Sequence, residues 1–213
     1  MTLRHTTAAV LVTAVVAVNT AFTLLGTSFD YPAVLAQDPT DVLRRFHENP
    51  AVAWQFALLA LSAALLAPAA LLTSRLAGGA RAAALTGVAA AVVQVIGLLR
   101  WPLLVPSLDP ADPADVHTFT VLNTVLGNGI GEIGGYLLTA AWTVLTVRAL
   151  RPGLLNTALA YLAAAGIATG VAIGVEWASK VNFAGYVAWS LWLLWLAVLV
   201  VRGRVGARVA VPA

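Results

Sequence analysis

Six long apolar stretches, separated by short polar connections, set the pattern of the chain. They cover residues 8–29, 51–72, 82–104, 118–147, 154–175 and 181–201. A helix of about 20 residues crosses the ~30 Å hydrocarbon core of a bilayer, and every stretch reaches that length. The stretches are continuously apolar and do not alternate, which excludes the strands of a membrane β-barrel. The pattern therefore predicts an all-α, polytopic bundle of six transmembrane helices.

The first long connection contains a short amphipathic segment at residues 40–47. Val42, Leu43 and Phe46 recur at helical spacing, and Thr40 precedes them as a candidate N-cap. We therefore predict a short helix lying on the outer membrane surface.

Prolines are expected to interrupt helical structure at two other places in the chain. Pro106, Pro110 and Pro113 fall in the acidic connection 105–117, which predicts an extended cap and not a helix. Pro68 lies inside the second apolar stretch and predicts a kink there. Tryptophans near the predicted outer ends of the spans, Trp101 among them, indicate an aromatic belt.

Charged residues are sorted between alternate connections. Eight of the nine acids lie in the odd-numbered connections: Asp30, Asp38, Asp41, Glu48, Asp109, Asp112, Asp115 and Glu176. The even-numbered connections and the two tails contain no acid and hold eight of the twelve basic residues: Arg4, Arg75, Arg81, Arg148, Arg151, Arg202, Arg204 and Arg208. Cytoplasmic connections carry the excess of arginine and lysine. The sorting therefore predicts that both termini are cytoplasmic.

The composition excludes several classes of protein. Hydrophobic residues make up 61% of the chain and charged residues 10%, whereas soluble domains carry about 25% charged residues. No polar linker divides the chain, so we expect one domain over residues 1–213. The net charge of +3 comes from arginines at span ends, and no nucleic-acid partner is predicted. Cysteine is absent, and neither a metal nor a cofactor is predicted.

Glycine recurs at every fourth position in two of the spans. The fourth span carries Gly127, Gly131 and Gly135, and the fifth carries Gly166, Gly170 and Gly174. Such a stripe lets a second helix backbone approach closely. We predict that the two stripes face each other within the hairpin; the alternative is that one stripe forms a homodimer contact.

Glu132 is the one acid that falls inside a span. It lies about ten helical residues, or roughly 15 Å, below the outer boundary, and Arg100 of the third span is its natural partner. The other members of this candidate intramembrane polar site are Asn128, Gln94 and Tyr136, and Asn19 and Asn123 could extend its hydrogen-bond network. Three interpretations stay open: a buried ion pair that fixes helix register, a protonated Glu132 beside a snorkelling Arg100, and a proton- or solute-handling site.

A second candidate site lies on the outer face. Asp30, His117 and Glu176 all fall near the predicted outer ends of spans. No zinc-protease, serine-hydrolase or Walker motif is present in the sequence, so no catalytic residue is assigned.

The chain resembles an uncharacterised bacterial membrane family, domain of unknown function 4386. The resemblance rests on residues 29–32 (FDYP), 97–101 (GLLRW), 105–106 (VP), 131–132 (GE) and 135–137 (GYL), in matching order along nearly the whole chain. The family often carries histidine after the intramembrane glutamate, where this chain has Ile133. The resemblance implies a multi-pass protein of the bacterial cytoplasmic membrane, supplies no activity, and directs attention to Asp30, Arg100 and Glu132.

Three functions fit this sequence. The favoured one is a non-enzymatic membrane component, such as a sensor, a packing partner or an accessory subunit, with a membrane protein or a second copy as partner. The second is a small-solute or proton-coupled transporter that uses Glu132 and Arg100. The third is a membrane enzyme acting at the outer surface. The sequence identifies neither the substrate nor the oligomeric state.

Overall fold

Helices long and apolar enough to cross a membrane form six spans, which confirms the predicted fold class. The computed structural model describes residues 2–205 and contains no strand in that range. The spans are Leu3–Phe29, Ala51–Leu76, Arg81–Ser107, Pro113–Leu150, Leu154–Val171 and Glu176–Val201. Arg208, assigned above to the basic C-terminal tail, lies outside the described residues.

Nine α-helices build these spans and their connections within the described part of the chain. They are α1 (Leu3–Phe29), α2 (Pro39–Glu48), α3 (Ala51–Ala64), α4 (Leu66–Leu76), α5 (Arg81–Leu103), α6 (Pro113–Leu122), α7 (Gly135–Leu150), α8 (Leu154–Ala168) and α9 (Glu176–Val201). A π-helical segment, Asn123–Gly134, joins α6 to α7. Short 3₁₀ turns cover Ala33–Ala36, Val105–Ser107 and Thr169–Val171.

The amphipathic helix predicted near residues 40–47 is α2. Val42, Leu43 and Phe46 are all buried, as their spacing indicated. The N-cap prediction was wrong, because the Asp38 carboxylate accepts a hydrogen bond from the Thr40 backbone N–H at 2.9 Å. Aspartate caps at least as well as threonine, and Pro39 suits the first helical position.

The connection predicted to be extended at residues 105–117 is partly helical, which corrects the prediction. α6 begins at Pro113, and the Asp112 carboxylate accepts from the Ala114 N–H at 2.9 Å. Proline is favoured at the first helical position, because the N–H it lacks would have no partner there. Asp115 in the first turn also complements the helix dipole.

The second span is interrupted where its proline requires. α3 ends at Ala64 and α4 begins at Leu66. Pro68 has no N–H to donate, and its ring crowds the carbonyl four residues earlier, which belongs to Ala64. The predicted break therefore occurs one turn before the proline.

The fifth span is shorter than predicted. It ends at Val171 in a 3₁₀ turn and does not continue to residue 175. Gly174 follows with φ +79°, a left-handed conformation that glycine adopts without penalty. Gly174 therefore belongs to a connection and not to a helical stripe.

The backbone divides into two compact units. The first unit comprises the described parts of Met1–Val15, Leu65–Ala90 and Tyr136–Ala213, and the second unit comprises Val16–Ala64 and Ala91–Gly135. In the first unit, the Trp142 ring contacts Trp189 and Trp192 edge-on. The Trp189 indole donates to Thr143 Oγ1 at 2.9 Å, so the indole polar group is satisfied within the helix packing.

An aromatic cluster forms the core of the second unit. Trp101 is fully buried, stacks on Phe56 with ring centroids 4.5 Å apart, and meets Phe29 and Phe119 edge-on. Stacked and edge-on pairs of this kind add stabilisation beyond the area they bury. The assignment of Trp101 to an aromatic belt was therefore wrong: Trp101 is a core residue, and Arg100 precedes it on α5.

Candidate functional site

Arg100 is the charged residue at the centre of the second unit. Its side chain belongs to the third span and is only 4% exposed. The guanidinium donates to Asn123 Oδ1 from Nε at 3.2 Å and from Nη2 at 2.7 Å, and Nη1 donates to the Gly97 carbonyl. Its Cζ atom lies 5.2 Å from the Trp101 ring centroid. A buried charge of this kind is stable only when it is paired or hydrogen-bonded, and here it ties the third span to the fourth.

Glycine makes room for this guanidinium. A Cβ atom on Gly127 would lie 2.6 Å from Arg100 Nη2 and 2.8 Å from its Cζ. One turn further, a Cβ on Gly97 would lie 2.6 Å from the Gly131 Cα atom. These two spans therefore approach at backbone distance, as small residues permit in a membrane.

The glycine stripes of the fourth and fifth spans do not face each other, which corrects the predicted hairpin contact. Gly131 lies against Gly97 of the third span, whereas a Cβ on Gly166 would lie 2.8 Å from the Gly185 Cα atom of α9. Gly131 thus packs against the third span and Gly166 against the sixth, although Gly170 of the fifth span also lies close to Tyr136 of the fourth. The prediction used depth alone, and equal depth does not distinguish between two flanking helices.

The other stripe glycines pack against side chains. A Cβ on Gly135 would lie 2.7 Å from Gln94 Cγ, and a Cβ on Gly170 would meet Asn182 and lie 2.6 Å from Tyr136 Cδ2. Gln94 and Tyr136, both predicted as members of the polar site, are therefore placed beside glycines in the second and the first unit respectively.

The fourth span departs from α-helical geometry over the twelve residues of Asn123–Gly134. Backbone hydrogen bonds in a π-helix run between residues five apart, and π turns are frequent at functional sites. Asn128 and Glu132, two members of the predicted polar site, are four residues apart and would share a face of an α-helix, but they do not stack in a π-helix. Asn123 instead accepts the hydrogen bonds of Arg100, and the sequence indicated it only as a possible extension of the network.

Glu132 interacts electrostatically with both Arg100 and Tyr31, and it is half-buried. Tyr31 follows the first span in the FDYP motif. Burial raises the pKa of the Tyr31 hydroxyl above its usual value; the charge of Glu132 raises that pKa further, and the charge of Arg100 opposes the rise. Tyr31 thus interacts electrostatically with Arg100 and Glu132 as a neutral hydroxyl, and no spacing rule in the sequence pointed to it.

A cavity of about 190 Å³ lies in the second unit, beside the Arg100 centre. Five of its lining residues have hydrogen-bonding side chains: Gln37, Thr120, Asn123, Thr124 and Asn128. Asn123 connects the two features, because its side-chain oxygen binds Arg100 while the residue lines the cavity. The predicted site residue Asn128 also lines this cavity, and the hydrogen bonds of the guanidinium go to Asn123 and Gly97 instead.

The candidate outer-face residues belong to both units. Asp30 and His117 are exposed residues of the second unit, and Asp30 has a left-handed backbone with φ 57°. Glu176 belongs to the first unit and accepts a hydrogen bond from Lys180 at 2.6 Å. Over residues 2–205, no group of three or more His, Cys, Asp or Glu side chains could hold a metal ion.

The helices and their composition define an integral, multi-pass membrane protein in contact with lipid. The family described as "Domain of unknown function (DUF4386)" matches residues 6–197, which is nearly the whole chain. The chain therefore belongs to that family, as the sequence motifs indicated. No curated protein and no solved structure matches the chain.

Proposed function

We propose that the chain is a non-enzymatic component of the bacterial cytoplasmic membrane, acting as a sensor or an accessory subunit with both termini in the cytoplasm. The arginine-rich, acid-free connections at Arg75–Arg81 and Arg148–Arg151 support this orientation. The guanidinium of Arg100, inside the second unit, has amide and carbonyl oxygens of the protein as its hydrogen-bond partners.

One observation carries this proposal: the buried Arg100 guanidinium is hydrogen-bonded within the protein. Its three guanidinium nitrogens all donate within the protein, Trp101 and Gly127 enclose it, and 4% of it is exposed. A residue that hands on protons or solutes needs access to water. Arg100 instead holds two spans in register, which is the role of a structural centre.

Proton flux tests the proposal directly. The purified chain is reconstituted in liposomes that contain a pH-sensitive dye, and an outward proton gradient is imposed. We expect the gradient to decay at the rate of protein-free liposomes, both for the wild type and for Glu132→Gln. A decay that requires the wild-type protein and is lost in Glu132→Gln would overturn the proposal and establish the transporter.

The transporter remains the second candidate because of the π segment. Glu132 lies within that twelve-residue segment, and its charge acts on both Tyr31 and Arg100. A π-helix is less favourable than an α-helix and is retained mainly where function uses it. A transition of this segment to α-helix would move Glu132 relative to Arg100, and such a movement could expose the carboxylate alternately.

A further inference from the structure

The cavity beside the Arg100 centre is lined by several side chains that can form hydrogen bonds. Its polar wall consists of Gln37 and residues of the fourth span, where Thr120, Asn123, Thr124 and Asn128 contribute. Elsewhere the span is mainly apolar, with a hydropathy that qualifies it to cross a membrane. Five polar side chains thus converge on a space of about 190 Å³.

Two arginines orient two of the amide side chains in this wall. Arg100 donates to Asn123 Oδ1, and Arg45 Nη1 donates to Gln37 Oε1 at 3.1 Å. Arginine has donors only, so each amide must turn its oxygen to the guanidinium. The amide nitrogen, with two N–H donors, is then the group that remains for another partner. Within residues 2–205, neither amide nitrogen donates a hydrogen bond to the protein.

Two further side chains that line the cavity also have unused hydrogen-bonding groups. In the described chain, neither Asn128 nor Thr124 forms a side-chain hydrogen bond, although both belong to a membrane span and line the cavity. Thr124 is exposed and Asn128 is half-buried, so both side chains are accessible to an occupant of the cavity. A polar occupant of the cavity would supply the missing partners.

The charges behind the wall favour an acceptor as the occupant. Hydrogen bonds from an amide N–H strengthen when a cation polarises the amide oxygen, as Arg100 does for Asn123 and Arg45 for Gln37. The nearby acid Asp38 is engaged as the cap of α2. Glu132, in the same π segment as Asn128, interacts with Arg100 and Tyr31. Since a water molecule occupies about 30 Å³, the cavity holds an anion of a few heavy atoms and not a nucleotide.

We propose that this cavity binds a small oxyanion, a phosphate or a carboxylate, through the amide N–H groups of Gln37, Asn123 and Asn128 and the hydroxyl of Thr124. The Thr120 hydroxyl lines the cavity but already donates to the Val116 carbonyl at 2.9 Å. The oxyanion could be free in solution or could be the phosphate of a lipid headgroup. Both sources present the same oxygen acceptors to the same donors. The site does not depend on the sensing role proposed above, because a transporter could also use it.

The test uses the full chain purified in a detergent without phosphate groups. Thermal unfolding is followed while inorganic phosphate or acetate is added, at constant ionic strength set with chloride. Phosphate or acetate should raise the unfolding temperature of the wild type saturably. Asn128→Leu and Thr124→Val should each weaken the apparent affinity at least tenfold.

Thr118→Val is the matched control, because Thr118 is an exposed threonine of the same span, and its hydroxyl donates to the Ala114 carbonyl outside the cavity. Its affinity should equal that of the wild type. Thr124→Val is nearly isosteric, so it keeps the test valid if Asn128→Leu fails to fold.

A lipid source gives a different result. In that case the free anions have no effect, but phospholipid added to the delipidated protein raises the unfolding temperature, and native mass spectrometry finds bound phospholipid on the wild type that is reduced in Thr124→Val. The proposal is overturned if neither free anions nor phospholipid stabilises the wild type, or if the cavity variants respond as the wild type and Thr118→Val do.

Discussion

The Arg100 guanidinium lies directly against the backbone of Gly127, where a Cβ atom would approach Nη2 to 2.6 Å. A side chain at position 127 and the guanidinium in its present place therefore exclude each other. The FDYP, GLLRW and GE motifs that identify the family all lie in the unit built around this contact.

Gly127→Ala should destabilise the protein by about 1–3 kcal/mol, the usual cost of forcing an extra carbon into a packed site. The methyl group would push Arg100 away from Asn123. Unfolding free energies in a mixed-detergent titration measure the effect. The control is Gly129→Ala in the same segment, where the new Cβ would lie 3.5 Å from the Thr124 carbonyl, at ordinary contact distance. Equal stability of the two variants would contradict the contact.

Gly166→Leu should abolish folding, because Gly166 lies against the backbone of Gly185 within the α8–α9 hairpin. Ala165→Leu, at an exposed position of the same helix, should fold normally. Size-exclusion chromatography in detergent separates the outcomes. If the stripe instead served a homodimer, Gly166→Leu would give a well-folded monomer while the wild type eluted as a dimer.

Tyr31 should make stability depend on pH in the alkaline range. Its pKa is raised in the folded protein, so above about pH 10 the unfolded chain releases the tyrosine proton before the folded protein does. The stabilisation is therefore complete below pH 10 and is lost as pH rises towards the folded pKa.

Tyr31→Phe keeps the aromatic ring, which packs edge-on against Phe56. We expect a smaller loss of unfolding temperature between pH 9 and 11 in this variant than in the wild type. Identical pH profiles would show that the Tyr31 hydroxyl is not held in its neutral form by the fold.

The proposed orientation can be mapped directly, because the chain contains no cysteine. Single cysteines at Ala77 and Ala111 test the second and third connections. In intact cells, a membrane-impermeant maleimide should label Ala111→Cys at once, and Ala77→Cys only after permeabilisation. The reverse pattern would place both termini outside and contradict the distribution of arginines.

The length of the apolar stretches was sufficient to predict the six spans. Hydrophobic periodicity was sufficient to predict the short helix α2, because burial of Phe46 and its neighbours is a property of local spacing. It also identified Arg100, since a charge inside a span must have partners. Which partners they are depends on helix geometry. The π segment changes the angular spacing from Asn123 onward, and all positions beyond it were extrapolated from an α-helix.

Trp101 and the glycines illustrate a second limit. A tryptophan near a span end suits a lipid interface and a buried core equally well, and only the surrounding rings of Phe29, Phe56 and Phe119 decide between them. A glycine stripe likewise indicates that another helix packs closely against it, but it does not indicate which helix. Gly131 contacts the third span, whereas the glycine spacing was equally consistent with a contact to the fifth span.

A double-mutant cycle between Arg100 and Asn123 tests the central claim most directly, that this hydrogen-bonded pair joins the third and fourth spans. Unfolding free energies are measured for the wild type, Arg100→Met, Asn123→Leu and the double variant. Hydrogen bonds to charged groups contribute about 1.5–3 kcal/mol, so we predict a coupling energy of that size. Strictly additive effects of the two substitutions, with no coupling energy, would contradict the account.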